Sequence, residues 1–314
     1  MRVLVIMDAV ERINPEGDTT LVLVEELFAR NHEIEICGPE ELELERGEAA
    51  AVVSSVTAVQ RDGFPCIKLE GGQWRRLSDY DAVLMRKDPP FDLDFYFYTL
   101  MLEQARGKTV LVNDPRGLRD ANEKLYAFNF PSLIPPTRVT RSLVRLRDFL
   151  DRQGGEMIVK PLDGCGGAGV FHVQASDRNT NSILETVTDN GTKAVMAQQY
   201  LPAVRAGDKR ILLLDGEPIG AVLRVPRDDE TRSNLHVGGK PTKTHLTARD
   251  KEIVATVAPR LKADGLHFVG LDVIGDFLTE VNVTSPTGVQ EINRLENVHL
   301  EKRIIDWLER RVQA

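Results

Sequence analysis

The stretch Ile158–Val173, IVKPLDGCGGAGVFHV, places Gly164, Gly166 and Gly169 in the spacing G-x-G-x-x-G. The residues just after the glycines decide how that spacing is read. A dinucleotide fingerprint needs the glycines to open a helix whose N-terminus holds the pyrophosphate. Here they lead into VFHV, an alternating run with β-branched and aromatic residues, which predicts a strand. A Walker loop fails too, because no Lys-Ser/Thr follows Gly169. What remains is a strand–loop–strand whose glycine amides, unobstructed by Cβ atoms, suit contact with phosphates. Lys160 on the incoming strand would add a point charge, about 4 kcal/mol at roughly 4 Å and an effective dielectric near 20, before desolvation. On these residues alone, a flexible hairpin with a solvated lysine stays open as the alternative.

Outward from this hairpin the chain divides into three segments. Residues 1–120 alternate strands (RVLVIMD, EIEIC, DAVLMRK, TVLVND) with helices (TLVLVEELFARNH, FYFYTLMLEQARGK), a pattern that predicts a Rossmann-like domain on a mostly parallel sheet. The style changes at NDPRGLRDANEKL, which sets a boundary near residue 120. Residues 121–200 read as strand, helix (SLVRLRDFLDRQ), strand, glycine loop, strand, helix and strand (AVMAQQYL). Residues 201–314 hold DKRILLLDGEPIGAVLRV, two strands joined at Asp215-Gly216, which is a strong hairpin signal. A polar stretch, a helix near 247–263, the FVGLDVIGDFLTEVNV strands and a closing helix near 296–312 complete the chain.

That last strand pair carries a second cluster. Glu280 and Asn282 stand at i and i+2, on one face of a strand. Asp272 lies across a turn at Gly275-Asp276; a three-residue loop would set it opposite Glu280, and a two-residue turn would separate them. Two carboxylates and an amide oxygen form a hard set suited to Mg²⁺, or Mn²⁺, which keeps phosphate oxygens among its ligands. Three polar residues on the solvent face of an edge hairpin would give the same pattern. Lys124, Arg210 and Arg224 are the basic residues of interest; the two arginines, flanked by apolar neighbours, need an anionic partner if they point inward.

Composition narrows the function classes. The 314 residues are 42% hydrophobic and 28% charged, with a net charge of −8, so nothing marks a nucleic-acid footprint. Three dispersed cysteines (Cys37, Cys66, Cys165) without a C-x-x-C suggest neither a disulfide framework nor a zinc site. No apolar run approaches membrane-spanning length, and the N-terminus begins directly as a strand, so a cytoplasmic protein with no membrane partner is expected.

Together these features resemble the ATP-grasp ligases. More narrowly, LMRKDPPFD (84–92), NEKL (122–125), the 160–171 hairpin, GDKRILLLDGEPIG (207–220), TRSNLHVGG (231–239) and FVGLDVIGDFLTEVNVTSPTG (268–288) are similar to bacterial glutathione synthetase, in that family's order. The resemblance implies an α/β ATP-grasp fold of two α+β subdomains clasping ATP, behind the N-terminal domain. It implies ATP-dependent joining of γ-glutamylcysteine to glycine through an acyl phosphate, and a homo-oligomer, a tetramer by family resemblance. Another ATP-grasp carboxylate–amine ligase, glutamate-adding or with a different amino acid acceptor, is the alternative. Carried over by position, Lys124, Lys160 and the loop glycines Gly164, Gly166, Gly167 and Gly169 would contact ATP phosphates. Gln198, Gln199, Tyr200 and Leu201 would form the adenine hinge, with Asp208 near the ribose. Asp272, Glu280 and Asn282 would hold Mg²⁺, and Arg210 and Arg224, with Lys160, would stabilise the transferred phosphoryl group.

Arg86, Lys87, Ser285, Pro286 and Thr287 would help bind the peptide. The polar stretch 227–240 reads as a mobile lid, with Arg232 and Asn234 reaching into the closed site. Cys165 departs from the expected bulkier thioether in the phosphate loop, which raises redox sensitivity beside the plainer reading of a tolerated small residue. The tail after Ile292 carries no family residue and reads as an amphipathic helix.

Overall fold

The computed structural model describes residues 1–164, 166–227 and 238–314. Cys165, Arg232, Asn234 and most of the 227–240 stretch therefore lie outside the described residues.

Three sheets organise the chain. The first is built from β1 (Arg2–Ile6), α1 (Thr19–Ala29), β2 (Glu33–Cys37), β3 (Leu42–Glu45), β4 (Glu48–Val59), β5 (Ile67–Arg76), β6 (Ala82–Met85), α2 (Leu93–Glu103) and β7 (Val110–Val112), followed by α3 (Pro115–Asp120). Strands β2, β1, β6 and β7 are parallel; the apolar runs of β1 and β6 are what burial on both faces demands, whereas β2, EIEIC, buries Glu35 as an acceptor for the Tyr80 hydroxyl. The expectation of a mostly parallel sheet needs correcting at its other edge. There β3, β4 and β5 add antiparallel, in the order β3-β4-β2-β1-β6-β7 with β5 on β4. Their sequence, EAAAVVSSVTAV and IKLEGGQWRR, is dominated by small side chains and interrupted by Gly71-Gly72, so the alternation that announces a strand is weak.

The second sheet comes from β8 (Thr137–Thr140), α4 (Leu143–Arg152), β9 (Glu156–Pro161), β10 (Phe171–Gln174), α5 (Thr180–Val187) and β11 (Val195–Gln199). It is antiparallel throughout, ordered β10-β9-β11-β8. Period-two alternation explains its placement. Met157 and Val159 pack with Leu146, Phe149 and Leu184 in a separate small core, while Ile158 and Lys160 face the other way.

The third sheet holds β12 (Asp208–Leu214), β13 (Glu217–Val225), β14 (Lys240–Lys243), α6 (Ala248–Ala263), β15 (Phe268–Ile274) and β16 (Phe277–Asn282), ordered β14-β13-β12-β15-β16. The Asp215-Gly216 hairpin forms as expected, both residues at positive φ (50° and 76°) as a two-residue I′ turn requires. Helix α7 (Val289–Glu296), absent from the sequence reading, precedes the closing α8 (Leu300–Gln313). The first and third sheets share their cores: Leu4, Ile6 and Phe95 pack in one cluster with Ile211, Leu213 and Leu271. Asn113 joins them at the backbone. Its amide nitrogen donates to Phe268 O and Val283 O at 2.8 Å each, and its oxygen accepts from His267 N and Phe268 N. All of its hydrogen-bonding capacity is used, which a buried amide needs to avoid a desolvation penalty. No helix among the described residues is long and apolar enough to cross a membrane.

Candidate active site

The third sheet presents a row of charges to the second. Strand register creates it. Asp208 sits opposite Arg224, Arg210 opposite Asp272, and Asp272 opposite Glu280, so a row of charged residues crosses four strands on one face, acid facing base at the first two pairings and acid facing acid at the third. The last of these pairings corrects the turn-length argument. The turn is the two-residue one, Ile274 pairing with Phe277, which alone would put Asp272 and Glu280 on opposite faces. A β-bulge between Asp272 and Val273 absorbs one residue of β16 and restores the common face. Thr279 is the inserted residue, and its hydroxyl donates to Asp272 O at 3.1 Å.

Asp272 is the centre of the row. Arg210 holds it bidentately, Nε to Oδ1 at 2.5 Å and Nη2 to Oδ2 at 2.9 Å, and Arg224 Nη2 stands 3.0 Å from Oδ2. Burial opposes its ionisation, but the two guanidinium groups outweigh burial and hold the carboxyl well below the usual range. Arg224 also pairs with Asp208. At Asp208 burial prevails over the Arg224 attraction, with the Asp272 charge adding to it, and the carboxyl is pushed up to about 6. Gly270 makes room for Arg210: a Cβ there would stand 2.9 Å from the arginine Cδ.

Two lysines arrive from the other side. Lys160 Nζ lies 3.0 Å from Glu280 Oε1, and Lys124 Nζ 4.0 Å from the same oxygen. Against burial, these cations lower the Glu280 carboxyl. Lys124 also donates to Gly164 O at 2.5 Å, and Asn122 Nδ2 to Leu162 O at 3.0 Å, anchoring the base of the glycine loop. Gly166, Gly167 and Gly169 all take positive φ, a conformation that argues for glycine at those positions.

One cleft, with about 860 Å³ of open space, gathers most of these groups. Lys124, Lys160, Gly164, Gly166 and Gly167 line it, together with Asp272 and Glu280. Gln198, Gln199, Tyr200, Leu201 and Asp208 line it too, and Ile158, Val170, Val204 and Ile274 supply apolar walls. The mixture of apolar walls with a few convergent charged groups suits a nucleotide. Tyr200 is stacked on His172, ring centroids 4.0 Å apart, and Gln198 Nε2 is tied to Thr137 Oγ1 at 3.0 Å. Gly169 is not among the lining residues; it packs over Pro161.

Arg210 and Arg224 stand behind Asp272. Arg210 Nη1 reaches Thr287 O at 3.4 Å, and Arg86, 5% exposed, donates to Pro286 O at 3.2 Å and to Thr20 Oγ1 at 3.1 Å. The Ser285-Pro286-Thr287 turn thus connects Arg86 to the charged row. Asn282 lies beside it, Nδ2 donating to Gly270 O at 3.2 Å. Lys87 is elsewhere: it pairs with Asp8 at 3.1 Å in a separate pocket at the carboxyl ends of β1 and β6. Sequence reading missed Glu123. It accepts from Thr284 Oγ1 at 3.0 Å, its carbonyl accepts from Val281 N, and burial and the Glu280 charge raise its carboxyl. It also missed Thr279 and the apolar walls. The alternation that turns Lys160 toward the cleft also marks Ile158, two residues before it.

Two antiparallel sheets closing over a charged cleft, with a glycine hairpin and the 198–201 segment among its walls, define an ATP-grasp ligase. Solved structures share the fold: a D-cycloserine synthetase (TM-score 0.65, 17% identity, 97% of this chain and 100% of that one) and the ATP-grasp ligase PsnB, solved with minimal precursor, Mg and ADP (TM-score 0.63, 18% identity, 100% and 98%). Within that class the sequence is more specific. The prokaryotic glutathione synthetase N-terminal domain profile matches residues 1–119 and the prokaryotic glutathione synthetase ATP-grasp domain profile matches 123–297. Glutathione synthetases of Synechocystis sp. (43% identical, 99% of each chain) and Gloeobacter violaceus (46%, 98% of this chain and 96% of that one) are similar over nearly their whole length. The chain belongs to the prokaryotic glutathione synthetase family, enzymes that use ATP and a divalent metal.

Proposed function

We propose that the chain joins γ-glutamylcysteine to glycine, forming glutathione, ADP and phosphate through an acyl phosphate. The observation that carries this reading is the gathering of Lys124, Lys160, the glycine loop, the 198–201 hinge and the Asp272–Glu280 pair in one cleft, in a chain related end to end to glutathione synthetases.

The charge arrangement supports the chemistry. Lys124 and Lys160 stand in the cleft itself, while Arg210 and Arg224 behind it offset the charge of Asp208 and Asp272, so the two lysines are the cations that can turn to a polyphosphate. Lys160 and Lys124 would turn to the phosphates and release Glu280 from its present pairing. The glycine loop would cover the phosphates with its amides and keep water out, which an acyl phosphate requires. Backbone groups of residues 198–201 would read the adenine edge, while Asp208 meets the ribose. Arg210 and Arg224, held by Asp272, would face the charge that develops as the phosphoryl group passes to the cysteinyl carboxylate, the stage at which preorganised cations lower the barrier most. Arg86 and the 285–287 turn would orient the peptide.

Among the described residues no three His, Cys, Asp or Glu side chains converge as a ready metal site. Glu280 and the Asn282 amide oxygen nevertheless fit a hard cation that takes part of its coordination from phosphate, with Asp272 completing the oxygen set. Mg²⁺, or Mn²⁺ in its place, would neutralise phosphate charge there. Arg232 and Asn234 remain proposed lid residues, and Lys87 a proposed peptide contact. A cytoplasmic homo-oligomer, tetrameric as in the resemblance, completes the reading.

Purified protein supplied with ATP, Mg²⁺ and γ-glutamylcysteine should release ADP only when an amino acid acceptor is added, and glycine should be preferred over alanine, serine and glutamate. Equal or better use of another acceptor would favour the other carboxylate–amine ligases instead.

A further inference from the structure

His172 takes no part in the chemistry described above, yet the fold sets it against the nucleotide hinge. Strand register explains how. His172 on β10 pairs with Ile158 on β9, Ile158 with Gln198 on β11, and Gln198 with Thr137 on β8. Directly opposed residues of antiparallel strands share a face, so these four form a row on the side where Ile158 and Gln198 wall the cleft. His172 ends the row and does not itself line the cleft. Its imidazole lies instead on the ring of Tyr200, with centroids 4.0 Å apart and planes 18° from parallel. Tyr200 does line the cleft, directly after β11.

Polar contacts do not account for this placement. Imidazole Nε2 is sealed from solvent and makes no hydrogen bond among the described residues, and Glu156 Oε2 stands 3.5 Å from it. The other oxygen of Glu156 accepts from Gln174 Nε2 at 2.9 Å. The face-to-face contact with Tyr200 is therefore what holds the imidazole. Its position in the sheet gives that contact a purpose. Strand β10 begins at Phe171, two residues after Gly169, so His172 stands on the strand that leaves the glycine loop. Strands β10 and β11 are not neighbours, because β9 runs between them. The two rings thus reach across β9 and join the outgoing strand of the glycine loop to the hinge, two segments that no ladder of backbone hydrogen bonds connects directly.

We propose that His172 is a positioning residue for the nucleotide: through its stack on Tyr200 it fixes the hinge relative to the glycine loop, so that ATP meets walls already set for it. Such preorganisation lowers the cost of ordering the site on binding. The assignment rests on the reading of this cleft as the ATP site. Calorimetric ATP binding by the full chain, alongside steady-state kinetics, tests it. His172→Ala should raise both Kd and KM for ATP by roughly two- to tenfold, the range expected for a lost aromatic pair. It should leave kcat at saturating ATP, and KM for γ-glutamylcysteine, unchanged. His172→Phe, which keeps a flat ring, should restore ATP affinity, and His172→Leu, apolar without a ring, should not. Adding His172→Ala to Tyr200→Ala should weaken ATP binding no further than Tyr200→Ala alone. Glu156→Gln should bind ATP like the parent. Parent affinity in folded His172→Ala, additive losses in the double variant, or a loss in Glu156→Gln as large as in His172→Ala would overturn the proposal. Should His172→Ala fail to fold, the comparison of Phe with Leu decides, and equal affinities there would overturn it too. Any of these results in a parent that binds ATP would sink this inference alone, whereas a parent that binds no ATP would sink the proposed ligase function as well.

Discussion

Replacing Asp272 by asparagine should damage the protein in a way that replacing Glu280 by glutamine does not, although the two carboxylates sit opposite each other in register. The Asp272 carboxylate is 4% exposed and satisfies two guanidinium groups, Arg210 through both oxygens and Arg224 through one. Asparagine is nearly isosteric, so packing is kept while the negative charge goes. Two buried arginines are then left facing one another with only Asp208 to share. Breaking a buried pair by removing one partner costs about 3–5 kcal/mol, because the surviving charge has been desolvated without return. Glu280 differs: its side chain is 22% exposed on the cleft wall and contacts the flexible ends of Lys160 and Lys124. Glutamine there can still accept from Lys160, and Lys124 keeps its bond to Gly164 O, so the loss should be smaller than for Asp272→Asn although both lysines are buried. Urea unfolding followed by fluorescence, alongside ADP release under saturating substrates, separates the two effects. Both variants should lose most activity, but only Asp272→Asn should shift the unfolding midpoint substantially. Equal midpoints, or a larger loss for Glu280→Gln, would refute the view that Asp272 is first the anchor of the two arginines.

The same geometry sets other outcomes. Lys160→Ala should cut turnover by roughly 10²–10³, the usual effect of removing one preorganised charge-stabilising donor, with folding retained; turnover within about threefold of the parent would exclude its phosphate role. Gly270→Ala should lower activity by displacing Arg210, whose Cδ would stand 2.9 Å from the new Cβ, and unchanged kinetics would show that the arginine shifts freely. Asp208, pushed up to about 6 by burial, keeps a proton in the folded state that the unfolded chain releases near pH 4. Its contribution to stability is therefore fully present at lower pH and falls as pH rises between about 4 and 6. That loss is on the order of 3 kcal/mol, and Asp208→Asn should remove the slope; the same pH dependence in both proteins would contradict the assignment.

Much of this site was legible because strands present alternate residues to opposite faces. Lys160, Glu280 and Asn282 could be placed relative to their neighbours from period two alone, and the strand after Gly169 disposed of the helix-opening reading. Register was not legible. Whether Asp272 faces Glu280 depended on a bulge at Thr279, a choice the chain makes through hydrogen bonding that no spacing rule exposes. The pairing of Arg210 with Asp272, 62 residues apart, was hidden for a similar reason: it follows from β12 lying against β15, a matter of sheet order. The antiparallel edge of the first sheet escaped because alanine, serine and glycine carry little alternating contrast, and α7 because eight residues give barely two turns of periodicity. Arg86 and Lys87 are consecutive at a strand end and point to different sides, so Arg86 turns toward the 285–287 turn while Lys87 pairs with Asp8.

If this cleft activates a peptide carboxylate with ATP for attack by glycine, one oxygen of that carboxylate must leave with the phosphate. Isotope transfer reads this out, using γ-glutamylcysteine with ¹⁸O in the cysteinyl carboxylate, ATP, Mg²⁺ and glycine, with phosphate and peptide products weighed by mass spectrometry. One labelled oxygen should appear in each phosphate released and one should remain in the newly formed amide of glutathione. Unlabelled phosphate, or ATP consumption without a glycine-containing product, would contradict that route.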